Sequence, residues 1–422
     1  MTFNFTLYSK SKATYGRMLL MALIENSVGE LPYRLLDFDQ HSYEAEDCFT
    51  RHMPRAKLDT AVRPITLPSG HKALLANERI VTAFEKEHDL SKAYVPGSLA
   101  EMLKKRSSGD PADAERFFEP IQPEYLDKDA RLKQLEEQQI EKSIMYPGGW
   151  ALLAEPFLDD TDALYDNYES FNRWINEDWG FNYQETIYAP AMMSLRDLDR
   201  AVAELDRVLA AGAKFVYLPA GPAYGRSPGD PYFDPFWARI NEAKAVVCYH
   251  ISEFYYQENV AADWGWKLGP PFQFSAWQWQ NSYGERPVTD TLSALIFDNL
   301  FGRFPNIRVL VSEYGASWIP HFIGHMDKSR GMARLGPWLG GQLKERPSAI
   351  FKQHIRVVPY PEDDTVALAE QLDGTEALVM GSDWPHAEGL REPAEMYHRV
   401  EGLGEQKRRH FLRDNGLDLL KG

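Results

Sequence analysis

Cysteine is nearly absent: Cys48 and Cys248 are the only two in 422 residues. Neither has a second cysteine near it, which argues against a CxxC zinc site and a disulfide scaffold. A reducing, cytoplasmic setting is expected. Long basic runs are missing too. Lys and Arg number 46 against 62 Asp and Glu, a formal charge of −16. Such a field repels phosphate backbones and anionic lipid heads, so neither nucleic acid nor a membrane surface is an expected partner. No apolar window reaches the length of a membrane-spanning helix. The run Met18 to Ile24 follows Lys10, Lys12 and Arg17, but it gives way at once to Glu25-Asn26 without a small-residue cleavage site. It reads as one stripe of an ordinary helix rather than a leader. Internal repeats and low-complexity segments are also lacking. What is present is 44% apolar and 13% aromatic residues, ample for a large core.

A strand-like apolar run followed by a helix-like stretch recurs along the chain. Candidate strands are Tyr33 to Phe38, Lys142 to Tyr146, Thr186 to Ala189, Lys214 to Leu218, Ala245 to Tyr249, Ile307 to Val311, His354 to Val358 and Ala377 to Met380. The stretch Leu195 to Ala211 shows the helical counterpart, with Leu198, Val202, Leu205, Val208 and Leu209 on one face. Ser194 or Asp197 can cap its start, and Gly212 follows its end. Eight alternations predict an α/β fold, an elaborated (β/α)8 TIM barrel forming a single domain over residues 1–422. A doubly wound open sheet is the rival, but no GxGxxG follows the first strand. Two insertions break the rhythm, at about 42–140 and 252–306. The first holds the polar stretch Lys104 to Glu115 with Gly109-Asp110-Pro111. The second carries Phe254, Tyr255, Tyr256, Trp264, Trp266, Phe272, Phe274, Trp277, Trp279 and Tyr283, and reads as a pocket lid or subunit interface, or else as its own small core.

Four strand ends carry chemistry. In Asp37-Phe38-Asp39-Gln40-His41, alternate side chains share a face, so Asp37, Asp39 and His41 are expected to point together. His250 ends a second apolar run, Glu313 a third and Asp383 a fourth, the last in Gly381-Ser382-Asp383-Trp384-Pro385-His386. A carboxylate delivered by so apolar a run must be paired, hydrogen-bonded or metal-bound. Singly each has an ordinary structural explanation; together they put metal-competent groups on the rim where barrel enzymes keep their active sites. Mixed nitrogen and oxygen donors suit zinc and also manganese or iron.

These motifs resemble the amidohydrolase-related branch of the amidohydrolase superfamily. The similarity rests on Asp37-x-Asp39-x-His41-x-x-Glu44, His250, Ser312-Glu313-Tyr314-Gly315-x-x-Trp318-x-Pro320, Gly381-Ser382-Asp383-Trp384-Pro385-His386-x-Glu388-Gly389 and Asn415, in order over residues 33 to 420. The resemblance implies a (β/α)8 barrel with metal ligands Asp39, His41, His250 and Asp383. It also implies activities ranging from aromatic-acid decarboxylation and C–C hydrolysis to a few metal-dependent oxygenations. Asp-x-His stands where decarboxylases of the family have His-x-His, and Glu313 where many place a His.

Metal-dependent hydrolysis or non-oxidative decarboxylation of a small carboxylated substrate is the leading expectation, with zinc as the first choice of metal. The ion would polarise a substrate oxygen or lower the pKa of water from about 16 to about 7. Asp383, Glu313 and His386 are the expected catalytic residues: Asp383 to orient or deprotonate water, Glu313 to shuttle a proton, His386 to bind substrate or developing charge. Trp150 and Trp384 are the candidate aromatic wall and Arg330 the candidate clamp for a substrate carboxylate. If Glu313, Glu44 or His386 joins the four ligands, a second metal and a dinuclear iron or manganese oxygenase hydroxylating a small acid become the alternative. A non-catalytic metal-binding subunit paired with an active paralogue is the third reading. A homo-oligomer, or a hetero-oligomer with a related barrel subunit, is expected.

Overall fold

The computed structural model describes residues 28–68, 70, 72–81, 92–106, 115–155, 158–251, 255–267 and 274–421. The Met18–Ile24 stripe, Gly109-Asp110-Pro111, Phe254 and Phe272 lie outside them. Thirteen strands are present among the described residues: β1 (Leu35–Ser42), β2 (Arg63–Thr66), β3 (Lys72–Ala76), β4 (Arg79–Ile80), β5 (Lys92–Tyr94), β6 (Phe118–Pro120), β7 (Ile140–Pro147), β8 (Ile187–Tyr188), β9 (Ala191–Met192), β10 (Phe215–Tyr217), β11 (Val246–His250), β12 (Arg308–Ser312) and β13 (Ile355–Val357). They make a mixed α/β fold with two parallel sheets, β1-β7-β8 and β9-β10-β11-β12-β13, and two small antiparallel ones, β2-β3-β4 and β5-β6.

Parallel strands covered on both faces read as unbroken apolar runs, which is why these were visible in sequence. Alternate residues enter two cores. Leu36, Phe38, Ile144, Tyr146, Phe215, Val246, Cys248 and Leu310 fill one; Leu35, Met145, Val216, Val247, Tyr249, Val309 and Val311 join the larger one that the helices cover. Of the expected strand Thr186 to Ala189 only Ile187–Tyr188 forms a strand, β8, which pairs with β7; the short β9, pairing with β10, lies beyond it. Between them stands Pro190, which has no N–H to give a ladder. The expected strand Ala377 to Met380 is not a regular strand. Its segment still lies between β13 and β1: Val379 N donates to Val357 O (3.1 Å), Phe38 N to Met380 O (2.9 Å) and His41 N to Trp384 O (2.8 Å).

The helix expected from Leu195 runs Leu198–Ala210, and of the two candidate caps Asp197 is the one used, accepting from Arg200 N. Ser194 instead donates its hydroxyl to Glu155 Oε1 at 2.6 Å. Both insertions contain structure of their own. The first holds the two antiparallel sheets and reaches the loop after Asp383, where Gly97 N donates to His386 O and Leu99 N to Ala387 O. In the second, Phe274, Trp279 and Tyr283 stack edge to face, while Trp264 remains 69% exposed. Among the described residues, no helix is long and apolar enough to cross a membrane.

Candidate metal centre

β1 is bulged between Asp37 and Gln40 against β7. A bulge re-aims side chains, and here it parts Asp37 from the pair expected to share its face. Asp37 turns into the protein, fully buried, and accepts from Ser382 Oγ (2.6 Å), Ser382 N (2.9 Å), Gln40 Nε2 (2.9 Å) and Asp39 N (3.1 Å). Burial pushes its carboxyl up to about 7 even against these donors. Asp37 therefore ties β1 to the Ser382 turn and takes no place among the converging donors.

Asp39, His41 and His250 do converge. His41 Nε2 lies 3.1 Å from His250 Nε2 and 3.6 Å from Asp39 Oδ1, and His250 Nε2 lies 3.5 Å from the same oxygen. Donors around a tetrahedral ion at about 2.1 Å stand about 3.4 Å from one another. Asp39 Oδ1 is buried and accepts no hydrogen bond, a costly state for a carboxylate that faces no cation. Each imidazole is oriented from behind: His41 Nδ1 meets Pro147 O at 2.9 Å and His250 Nδ1 meets Ile251 O at 3.2 Å. Such contacts leave the Nε2 atoms for the centre. The trio fits a divalent cation.

Asp383 joins from the other side, its Oδ1 3.5 Å from His41 Nε2 and 2.9 Å from His386 Nδ1. It does not fall within the compact trio of Asp39, His41 and His250. It groups with His41 and His386, and also with Glu313, His386 and Glu388, the donors of each group lying within 4.8 Å of one another. Glu313 Oε2 is also 3.1 Å from His250 Nε2. Glu313 and Asp383 both hold left-handed backbone, at φ 60° and 56°, a conformation that costs a non-glycine residue on the order of 1 kcal/mol and clusters at functional sites. Tyr360 braces the first by donating its hydroxyl to Glu313 O at 2.7 Å.

Charge is crowded here. Burial, then the nearby Glu388 and Asp39 carboxylates, hold the Asp383 carboxyl well above the usual range; burial and Asp383 do the same to Glu313. Burial and the neighbouring His386 push His41 down to about 3. Burial would raise Asp39 as well, but His250 and His41 pull it to about 2. Burial would lower His250, yet Glu313 and Asp39 raise it. A bound dication reverses this balance at the groups that touch it, favouring carboxylate and neutral imidazole there.

The remaining expected site residues stand elsewhere. Glu44 is not a donor to the cluster: its Oε1 accepts from the N–H groups of Gly149, Trp150 and Ala151 and so caps the helix Trp150–Ala154. Trp150 begins that helix and packs into the larger core. Trp384 packs with Ala93 and Tyr125 of the first insertion, beneath the Arg131 guanidinium at 4.6 Å. Arg330 lies in the last turn of the helix Ile319–Met332, roughly 16 Å along its axis from the start. Its guanidinium donates to the Leu343 and Lys344 carbonyls, so it ties down the segment after that helix and is not part of the cluster.

Sequence reasoning assigned no role to Arg131. Fully buried, it donates to His41 O (2.8 Å), Gln40 Oε1 (3.2 Å) and Glu124 O (2.7 Å). It thereby fixes the backbone that carries His41. Nothing in Lys128–Glu137, a helix rich in charge, distinguishes this arginine from the lysines beside it.

The Glu44 cap has a measurable signature. Burial raises its carboxyl from 4.5 to about 7. A raised acid contributes stability that is fully present below its unfolded value and is lost as pH rises through the folded one. Glu44→Gln keeps the shape and removes the titration. Between pH 5 and 8 the wild type should lose stability relative to the variant, by on the order of 3 kcal/mol or less. Thermal denaturation at both pH values measures this, and parallel curves would contradict it.

With this geometry in view, comparisons with known proteins are decisive for the family. Residues 154–422 match a family model described as Amidohydrolase. The chain belongs to the amidohydrolase family. It is thus an enzyme of the amidohydrolase superfamily, although β1 with Asp39 and His41 precedes the matched residues. An amidohydrolase from Mycobacterium avium subsp. paratuberculosis K-10 is 32% identical over 93% of this chain and 98% of its own, with a TM-score of 0.80. The 2,6-dihydroxybenzoate decarboxylase from Rhizobium is 16% identical, covering 92% of this chain and 99% of its own at a TM-score of 0.59. A 5-carboxyvanillate decarboxylase from Novosphingobium aromaticivorans, with bound manganese and a nitrobenzoic acid, is 14% identical, covering 94% and 99% at a TM-score of 0.59. These two likenesses concern the fold. No curated protein matches the sequence.

Proposed function

We propose that the chain is a single closed (β/α)8 domain that binds a divalent cation at Asp39, His41 and His250, with Asp383 as the fourth donor. Its reaction, in this reading, is the non-oxidative decarboxylation of a small aromatic or otherwise unsaturated carboxylic acid. The carrying observation is the donor trio, whose spacings of 3.1 to 3.6 Å match those around one ion. Support for decarboxylation over hydrolysis comes from neighbours of the same fold that act on dihydroxybenzoate and carboxyvanillate. The manganese in one of them, and the two carboxylates among the four donors here, support manganese alongside zinc.

When bound, the cation supplies a charge that polarises the substrate's oxygens. The chain supplies the rest. The Pro147 and Ile251 carbonyls hold the two imidazoles with their Nε2 atoms toward the centre. Glu313 holds a proton on its carboxyl until a substrate carbon needs it as the bond to the carboxylate breaks. His386, partly exposed at the mouth, donates a hydrogen bond to the substrate. The Asp383 backbone is pinned by its N–H bond to Asp39 O at 2.6 Å, so the pair moves as one.

Protein reconstituted with manganese or zinc should release carbon dioxide from members of a hydroxylated aromatic acid panel without consuming oxygen. Release of an alcohol or amine from esters or amides instead would move the reading to hydrolysis, and oxygen uptake would move it to hydroxylation.

A further inference from the structure

The first insertion packs against the loop that follows Asp383 and His386. Gly97 N donates to His386 O at 3.2 Å and Leu99 N to Ala387 O at 2.9 Å. A cavity of about 270 Å³ opens at this joint, lined by Ser98, Glu101, Arg116 and Phe117 of the insertion and by Arg391 of the loop. Water takes about 30 Å³ per molecule in the liquid, so the space holds a phosphate- or carboxylate-sized group with several waters. Among the described residues, none of the clustered metal-competent donors lines it.

Ser98 precedes the helix Leu99–Arg106, and its carbonyl accepts the first helical bond, from Met102 N at 3.0 Å. Ser98-Leu99-Ala100-Glu101 has the sequence of a capping box, in which the hydroxyl would accept from Glu101 N and the glutamate would reach back to Ser98 N. The folded chain leaves the hydroxyl's half of the box open. Glu101 pairs with Arg116, and the Ser98 hydroxyl, on a residue 8% exposed, makes no hydrogen bond among the described residues. A buried hydroxyl is destabilising unless something supplies its partner. The first turn of a helix also carries N–H groups without intrahelical partners and the positive end of the dipole. Arg116 is held in place twice, by Glu101 and by lying 4.7 Å over the Phe117 ring. Arg391 forms no ion pair among the described residues. Two arginines and one glutamate therefore leave the cavity with one net positive charge, in a chain whose formal balance is −16.

We propose that Ser98, Arg116 and Arg391, with the first turn of that helix, bind a small free oxyanion, a phosphate or a carboxylate, and that the occupant clamps the first insertion to the loop of Asp383 and His386. The site is separate from the metal centre and does not rest on the metal reading. Guanidinium forks, a hydroxyl and helix-terminal N–H groups are the donors that the oxygens of such anions take. Ser98 and Arg391 stand on the two sides of the joint, so an anion held by both adds a bridge to the Gly97 and Leu99 bonds. On the loop side Arg391 follows Leu390, whose N–H donates to Ser382 O at 2.8 Å. The bridge therefore bears on the turn that carries Asp383.

Inorganic phosphate is titrated calorimetrically into the full chain, metal-free and metal-loaded, with chloride holding the ionic strength constant. One saturable site per chain is expected in both forms. Arg391→Gln, at an exposed position outside the metal donors, is expected to bind on the order of tenfold more weakly. Ser98→Ala is expected to bind more weakly as well, and circular dichroism verifies that both variants are folded. Saturating phosphate should also slow hydrogen exchange at the Gly97 and Leu99 amides, by about fivefold or more, in the metal-free chain. No saturable binding, binding only to the metal-loaded chain, or an Arg391→Gln protein with wild-type affinity overturns the site. Unchanged exchange at those two amides in the phosphate-saturated protein overturns the clamp.

Discussion

His250→Ala should strip the cation and, with it, on the order of 10³-fold or more of the activity. Residues that merely support a metal ligand commonly cost 10–100-fold when changed, so removing a direct donor must cost more. His250 also stands 3.1 Å from both His41 Nε2 and Glu313 Oε2. Its loss leaves Asp39 Oδ1 and Glu313 without the imidazole between them. Elemental analysis of the purified variant and its turnover number are the two readouts, with circular dichroism to verify the fold. Full cation content with a rate within tenfold of wild type would remove His250 from the centre.

The second large effect concerns stability. Arg131→Ala takes away the donors to His41 O, Gln40 Oε1 and Glu124 O and leaves a cavity under the Trp384 ring. Buried acceptors left unpaired cost about 1–3 kcal/mol each, and the cavity adds to that. A loss of about 3–5 kcal/mol is expected, read from urea denaturation of the metal-free protein. Arg131→Lys should recover little of it, because one ammonium cannot span three acceptors as the planar fork does. A loss below about 1 kcal/mol for the alanine variant would mean that water or neighbouring side chains replace the guanidinium.

Much of the fold was legible because parallel strands with two covered faces have to be apolar throughout. β7, β10, β11 and β12 stood out for that reason. Departures occurred where backbone geometry overrode side-chain pattern. Pro190 separates β8 from β9, a strand the apolar pattern did not mark. The segment after Ala377 pairs on both sides, yet it passes so close to β1 at Gly381 that a Cβ would come within 2.5 Å of Asp39 Cβ, and it takes left-handed backbone at Asp383. The donors at positions 39, 41, 250, 313 and 383 were legible as polar groups ending apolar runs. Which of them converge was not, because it depends on ångström spacings between distant strands. The β1 bulge illustrates the limit: period-two alternation grouped Asp37 with Asp39 and His41, and one irregular pairing separates them. Glu44, Trp384 and Arg330 were chosen for chemistry that suited the mouth of a barrel. In the folded chain Glu44 caps a helix, Trp384 packs an insertion and Arg330 holds a loop.

The donor positions run from 39 to 388 along the chain. During synthesis on a ribosome, therefore, no early fragment presents the assembled centre. The full set of donors is present only once the chain reaches Asp383, so the cation would lock a chain that is largely complete. Once there, it stabilises by mass action, about 4 kcal/mol when its free concentration is 1,000 times its dissociation constant. The apolar cores form without the cation, so metal-free chain is expected to be reloadable, and adding cation should restore activity without new protein synthesis.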